Sequence, residues 1–267
     1  MVDEEHGIGG WLHGALGRAI AAWLFYTAIP LPASWPVKFQ AIARFAPAIG
    51  ILIGTGTAVM NWGLSVVGMP VWPRMAVVIA LGIGITGGLH LDGAMDTADG
   101  LSVMDPERRL EVMADSVVGA FGAIALGVIL LLKLTALVSL ASAPHGLQRV
   151  GIGLVGSAAW GRWGQLMAIA QYPYLKGEGK GKFHREDIQG WREGIVPACG
   201  LWGLLGLLGW GTGLWVEVVA LGIGGMAIAW GIGAWFNRQL GGHTGDTYGA
   251  VVEWTEAFIL LWLTLWL

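Results

Sequence analysis

Little in this chain can be cross-linked, and little of it is charged. Cys199 is its single cysteine, which excludes an intrachain disulfide and any cysteine-based metal site. Asp, Glu, Lys and Arg together make up 12% of the residues, about half the roughly 25% usual in soluble domains. No basic tail or basic run points to nucleic acid, and a net charge of −3 singles out no partner. No internal repeat is evident, and no polar stretch is long enough to fold as a separate soluble domain. The N-terminus opens with Asp3, Glu4 and Glu5 in place of a basic n-region, so no cleavable signal peptide is expected.

What the chain does have is long apolar runs. It is 55% hydrophobic over 267 residues, which reads as one domain, 1–267, embedded in a lipid bilayer. Its 16 Trp suit anchoring at the headgroup level, and its 45 Gly suit helices whose backbones approach closely. Spans are expected at about 45–68, 74–91 and 117–140, more weakly at 150–171, then at 195–215, 217–236 and in the last apolar stretch to Leu267. Residues 9–30, broken by His13 and Arg18, read as a first span or an interfacial helix, with a slight preference for a span. The expected fold is therefore an all-α polytopic membrane bundle of six to seven transmembrane helices, and it leaves a homo-oligomer open. If the loops alternate sides, one side holds Lys38, Arg44, Arg108, Arg109, Lys176, Lys180, Lys182, Arg185, Arg192 and Arg238, against only Arg74 and Arg149 on the other. The positive-inside rule makes the first side cytoplasmic.

One stretch stands out on that side. Gly87-Gly-Leu-His-Leu-Asp-Gly-Ala-Met-Asp-Thr-Ala-Asp-Gly-Leu101 carries Asp92, Asp96 and Asp99 at i, i+4 and i+7. If helical, this spacing puts three carboxylates within about 60° of one face. Like charges so placed repel unless they share a cation. Magnesium takes oxygen ligands, commonly a carboxylate or two plus substrate phosphates and water, so a divalent-metal site is the simplest reading. His90 lies beside the cluster, where a structural role is the more common one.

Two further constellations face the same side. Arg108-Arg-Leu-Glu111-Val-Met-Ala-Asp115 can be a salt-bridged interfacial turn in which Arg108 pairs with Glu111, or it can supply Asp115 as a further metal ligand. Asn237-Arg-Gln-Leu-Gly-Gly-His-Thr-Gly-Asp-Thr-Tyr-Gly249 has glycines whose N–H groups can converge on an anion, and Asp246 shares a helical face with Glu253 at i+7. Arg162 sits mid-span, where it must face a carboxylate or bind a ligand such as phosphate.

These stretches together resemble a known family. Gly87–Leu101 closely resembles the signature of the cobalamin synthases, membrane enzymes also called adenosylcobinamide-GDP ribazoletransferases. Phe25-Tyr-Thr-Ala-Ile-Pro-Leu-Pro32 resembles the family's early F-x-T-x-I-P-x-P segment. Arg108–Ser116 followed by Gly119-Ala-Phe-Gly122 resembles another family segment, and Arg238–Ala250 with Glu253 and Glu256 resembles a third. The order is kept from residue 25 to 256. Departures are small: Ala28 replaces a commonly basic residue, and Ala94-Met95 replaces a Leu-Ala pair. The resemblance implies magnesium-dependent transfer of the cobinamide phosphate group of adenosylcobinamide-GDP to α-ribazole or its 5′-phosphate, releasing GMP. On that reading Asp92, Asp96, Asp99 and Asp115 hold metal, and Asp92, Asp96 and Asp246 are catalytic, with Asp246 completing the site or acting as base. Arg162 and Arg238 hold phosphate oxygens, and Gly242, Thr244 and Gly245 bind substrate on the cytoplasmic side. A CDP-alcohol phosphotransferase fits less well, because Asp96-Thr97 stands where that motif has Ala-Arg. A transporter would place acidic groups at the midplane and show repeat symmetry.

Overall fold

The structure, a computed structural model, describes residues 8–175, 188 and 190–267, with side chains from residue 14 on. Lys176, Lys180, Lys182 and Arg185 of the expected basic loop lie outside the described residues, as do Asp3, Glu4 and Glu5 and the side chain of His13. Among the described residues ten α-helices run in order: α1 Ile8–Tyr26, α2 Ala46–Val66, α3 Val71–Thr86, α4 Leu89–Ser102, α5 Pro106–Val112, α6 Ala120–Ser142, α7 Gly146–Gln171, α8 Ile195–Thr212, α9 Trp215–Leu240 and α10 Gly245–Leu263. Among the described residues the sole β-type pairing is an isolated bridge between Tyr174 and His243.

Five helical segments among the described residues are long and apolar enough to cross a bilayer: Ile42–Val66, Ala120–Ser142, Trp191–Thr212, Trp215–Leu240 and Gly245–Trp266. The bent pair α3–α4 makes a sixth if counted as one span, which agrees with the expected all-α membrane bundle. α1 is not in that set. The large apolar side chains left exposed, among them Leu52, Val59, Leu131, Leu207 and Ile223, are the surface a bilayer would cover.

The helix expected to be the weaker span is the centre of the molecule. α7 has 26 residues, about 39 Å of helix, and every residue from Val155 to Ala170 is buried. α2, α9 and α10 pack around it. Small residues make this possible: Gly54 of α2 lies against the backbone of Leu154 and Val155, as close-packed membrane helices require. Hydropathy is low along α7 because it faces other helices rather than lipid, so Gly, Ser, Gln and Arg are admitted where they find packing or partners.

The second expected span ends early. α3 stops at Thr86, and α4 leaves it at 90°. Gly87 and Gly88 both take left-handed backbone angles, φ 61° and 74°, which breaks the hydrogen-bond ladder and is tolerated because glycine has no Cβ. The aspartate stretch is therefore a separate helix folded against α10 and α6, not an extension of a straight span.

Candidate active site

α4 and α10 approach each other through glycines near their N-terminal ends. A Cβ on Gly93 would sit 2.6 Å from the Asp246 carbonyl oxygen, and one on Gly249 would sit 2.8 Å from that of His90. Both starts therefore open onto one cavity of about 490 Å³, lined by Asp92 from α4 and by Gly245 and Asp246 from α10, with Phe25, Phe39, His90, Gln165 and Tyr248 also in its wall. Helix N-termini carry unpaired N–H groups and a partial positive charge, so the cavity favours an anion against its backbone while two carboxylates stand at its side. That combination suits a polyphosphate bound through a shared cation.

The α10 end is held by its own sequence. The Thr247 N–H donates to Thr244 Oγ1 at 3.2 Å, and the Thr244 N–H donates to Thr247 Oγ1 at 2.8 Å. This reciprocal cap starts the helix without a Glu at its third position. Thr244 Oγ1 also donates to Asp246 Oδ2 at 3.2 Å, which orients that carboxylate. Behind the cap, His243 Nδ1 lies 3.0 Å from Thr247 Oγ1 and Nε2 donates to the Gly233 carbonyl at 3.1 Å. Burial pushes the His243 pKa down to about 4, so the ring is neutral here. Gly242 serves packing: a Cβ there would meet the Pro173 carbonyl oxygen at 2.6 Å, beside the bridge in which the His243 N–H donates to Pro173 O.

The three aspartates of α4 share a helical face, yet they do three different things. Asp92 is exposed to the cavity. Asp96 is half-buried one turn further along. Asp99 is buried, and both its oxygens are taken up by the start of α6: Oδ2 accepts from the Gly119 N–H and Oδ1 from the Gly122 N–H, each at 2.8 Å. Asp99 thus caps a helix across space, and the metal role expected for it does not follow from its geometry. Asp115 is exposed, and its Oδ1 accepts from the Val117 N–H at 3.1 Å in a turn ahead of α6. Since α5 ends at Val112, Asp115 lies beyond that helix. Arg108 and Glu111 make no ion pair among the described residues. Among the described residues no group of three or more His, Cys, Asp or Glu side chains is arranged to hold a metal ion. Two carboxylates on one cavity do fit magnesium, whose usual protein share is one or two carboxylates with substrate phosphates and water supplying the rest.

Of the two arginines expected at phosphate, Arg238 is exposed on the last turn of α9, outside the cavity wall. Arg162 is 1% exposed and its Nη1 donates to Glu256 Oε1 at 3.0 Å and to the Ala158 carbonyl at 3.0 Å. Lys133 Nζ donates to Glu253 and Glu256, each at 2.7 Å. Arg162 therefore belongs to a closed network of two cations and two anions. Lys133 and the two glutamates were missed as partners; the available signal was charge inside apolar spans. Gln165 and Phe39 in the cavity wall carried no signal.

The fold and this cavity define a polytopic helical membrane protein with an acidic cavity between two helix starts. Comparison with known proteins is more specific. Residues 18–264 match the family described as Cobalamin-5-phosphate synthase, and the chain belongs to that family. Relatives named adenosylcobinamide-GDP ribazoletransferase include one from Trichormus variabilis, 51% identical over 92% of this chain and 96% of the relative. Another from Synechococcus sp. is 48% identical over 91% and 94% of the two chains, and one from Synechocystis sp. is 46% identical over 96% of each. No solved structure matches the chain.

Proposed function

We propose that the protein carries out the final assembly step of cobalamin, transferring the cobinamide phosphate group of adenosylcobinamide-GDP to α-ribazole or its 5′-phosphate and releasing GMP, with magnesium required. Family membership supports the step. The observation that carries the mechanism is that Asp92 and Asp246 open onto one cavity between two helix N-termini.

Attack of a ribose hydroxyl on a pyrophosphate phosphorus needs in-line positioning and neutralisation of phosphoryl charge, with little covalent work left to the protein. Asp92 and Asp246 would hold the magnesium, which would supply that neutralisation. Asp96, about 6 Å further along α4, is not part of the cavity wall. The Gly245 backbone and the first turn of α10 receive phosphate oxygens, and Thr244 keeps the Asp246 carboxylate turned toward them. Arg162 acts at a distance, holding Glu256 and so the packing of α7 on α10. The Lys and Arg bias of the connections supports a cytoplasmic position for this cavity. The test is GMP release by purified protein supplied with adenosylcobinamide-GDP and α-ribazole. Turnover with magnesium and none in EDTA is expected; full turnover in EDTA overturns the metal assignment.

A further inference from the structure

Away from its carboxylates, the cavity wall changes character. His90 and Gln165 both line it, yet they are only 1% and 5% exposed. Neither ring nitrogen of His90 has a hydrogen-bond partner among the described residues, and neither does Oε1 of Gln165. Buried polar atoms are nearly always satisfied, because leaving one dry and unpaired costs stability. These come from two helices, α4 and α7, so one local turn does not account for both. Because both side chains also line the cavity, a bound molecule there can satisfy them together.

The chemistry of the pair narrows that ligand. A neutral imidazole offers one N–H donor and one acceptor nitrogen, and Gln165 adds a carbonyl acceptor. Two acceptors and a donor match a pair of neighbouring hydroxyls: each O–H donates once, and one oxygen accepts from the ring. Phosphate, which only accepts, would leave the Gln165 carbonyl unmatched and belongs at the helix starts. Size narrows it again. A cavity of about 490 Å³ admits a nucleoside, while a corrin macrocycle has to remain outside its mouth.

We propose that His90 and Gln165 form a hydroxyl-binding floor that takes the ribose of the nucleoside acceptor. The proposal rests on the phosphotransfer reading above and adds to it which substrate lies innermost and by which groups. It makes the two residues determinants of acceptor affinity, with the donor pyrophosphate held separately at Asp92 and Asp246.

The experiment is calorimetric binding of α-ribazole, and of its 2′-deoxy analogue, to the full detergent-purified chain without donor or magnesium. Gln165→Met keeps the side chain's length and removes its amide, carbonyl and NH2 together. It should weaken α-ribazole binding about tenfold, the worth of roughly one neutral hydrogen bond. Its thermal midpoint should stay level or rise, since a buried unpaired carbonyl is gone; a purely structural Gln165 predicts a fall. The wild-type protein should lose a similar factor with the 2′-deoxy analogue, and the discrimination should shrink in Gln165→Met or in His90→Phe, which keeps a ring against Tyr26. If Gln165→Met does not fold, His90→Phe gives the same readout. Unchanged affinity in both variants, or undiminished discrimination between the two nucleosides, overturns the proposal. Hydroxyl-dependent binding in a protein that releases no GMP would retain the floor and remove the phosphotransfer reading. Normal GMP release with no role for either residue would do the reverse.

Discussion

Two groups of acidic side chains lie along one face of α10, about 10 Å apart, and they are handled in opposite ways. Asp246, at the first turn, opens with Asp92 of α4 onto a cavity. Glu253 and Glu256, two turns further in, are closed over by Lys133 and Arg162 at 2.7–3.0 Å. In the inner group every charge has its counter-charge from the chain, so nothing is left for a ligand to neutralise. In the outer group the carboxylates stand beside two helix starts and a cavity of about 490 Å³, with room for substrate and metal. Charge inside a membrane protein is thus no sufficient mark of a reaction site; the discriminating feature is whether the charged groups open onto a cavity that can admit substrate.

Removing one charge from each group sharpens the contrast. Asp246→Asn should lower GMP release by about 10³-fold and leave the thermal midpoint unmoved, as read by turnover and by unfolding in detergent. Lys133→Met should do the opposite. It leaves two buried carboxylates sharing one cation and should cost about 3–5 kcal/mol of stability, seen as a lower midpoint and poorer yield. Lys133→Met joined to Glu253→Gln should recover much of that loss, because the uncompensated charge is then gone. If Lys133→Met abolishes turnover in protein of normal stability, the inner group is not merely structural and the comparison breaks.

The same contrast recurs within the aspartate row. Asp99→Asn replaces one acceptor of the α6 start by an amide that cannot accept, and should cost about 1–2 kcal/mol, measured by thermal unfolding. The smallest expected effect comes from acid. His243, buried and neutral behind the α10 cap, has its pKa lowered from 6.5 to about 4. Below pH 6.5 the unfolded chain takes up a proton that the folded chain does not. This contribution is therefore complete above pH 6.5 and is lost as pH falls toward 4, about 1 kcal/mol between pH 7 and 5.5. His243→Gln should flatten that slope.

Much of this was readable in the chain. The 3.6-residue spacing of Asp92, Asp96 and Asp99 is met by α4, and long apolar runs are met by membrane-length helices, because both signals are local. The sharp turn at Gly87-Gly88 was hidden, since two glycines after an apolar run are equally common inside packed membrane helices. The division of labour among the aspartates was hidden for another reason. Spacing puts them on one face but does not say that the start of α6 covers the far end of that face. α7 was undervalued because hydropathy reports exposure to lipid, and the central helix has little. Lys133 and Glu253 are 120 residues apart, and no local pattern joins them.

The central claim is that one face of α4 divides into a reacting end and a structural end. It is tested most directly by GMP release per folded molecule in Asp92→Asn and Asp99→Asn, measured side by side with their thermal midpoints. The account predicts that Asp92→Asn loses about 10³-fold in turnover at an unchanged midpoint, while Asp99→Asn melts earlier and keeps most of its turnover. Near-normal turnover in Asp92→Asn, or a stable but inactive Asp99→Asn, would contradict it.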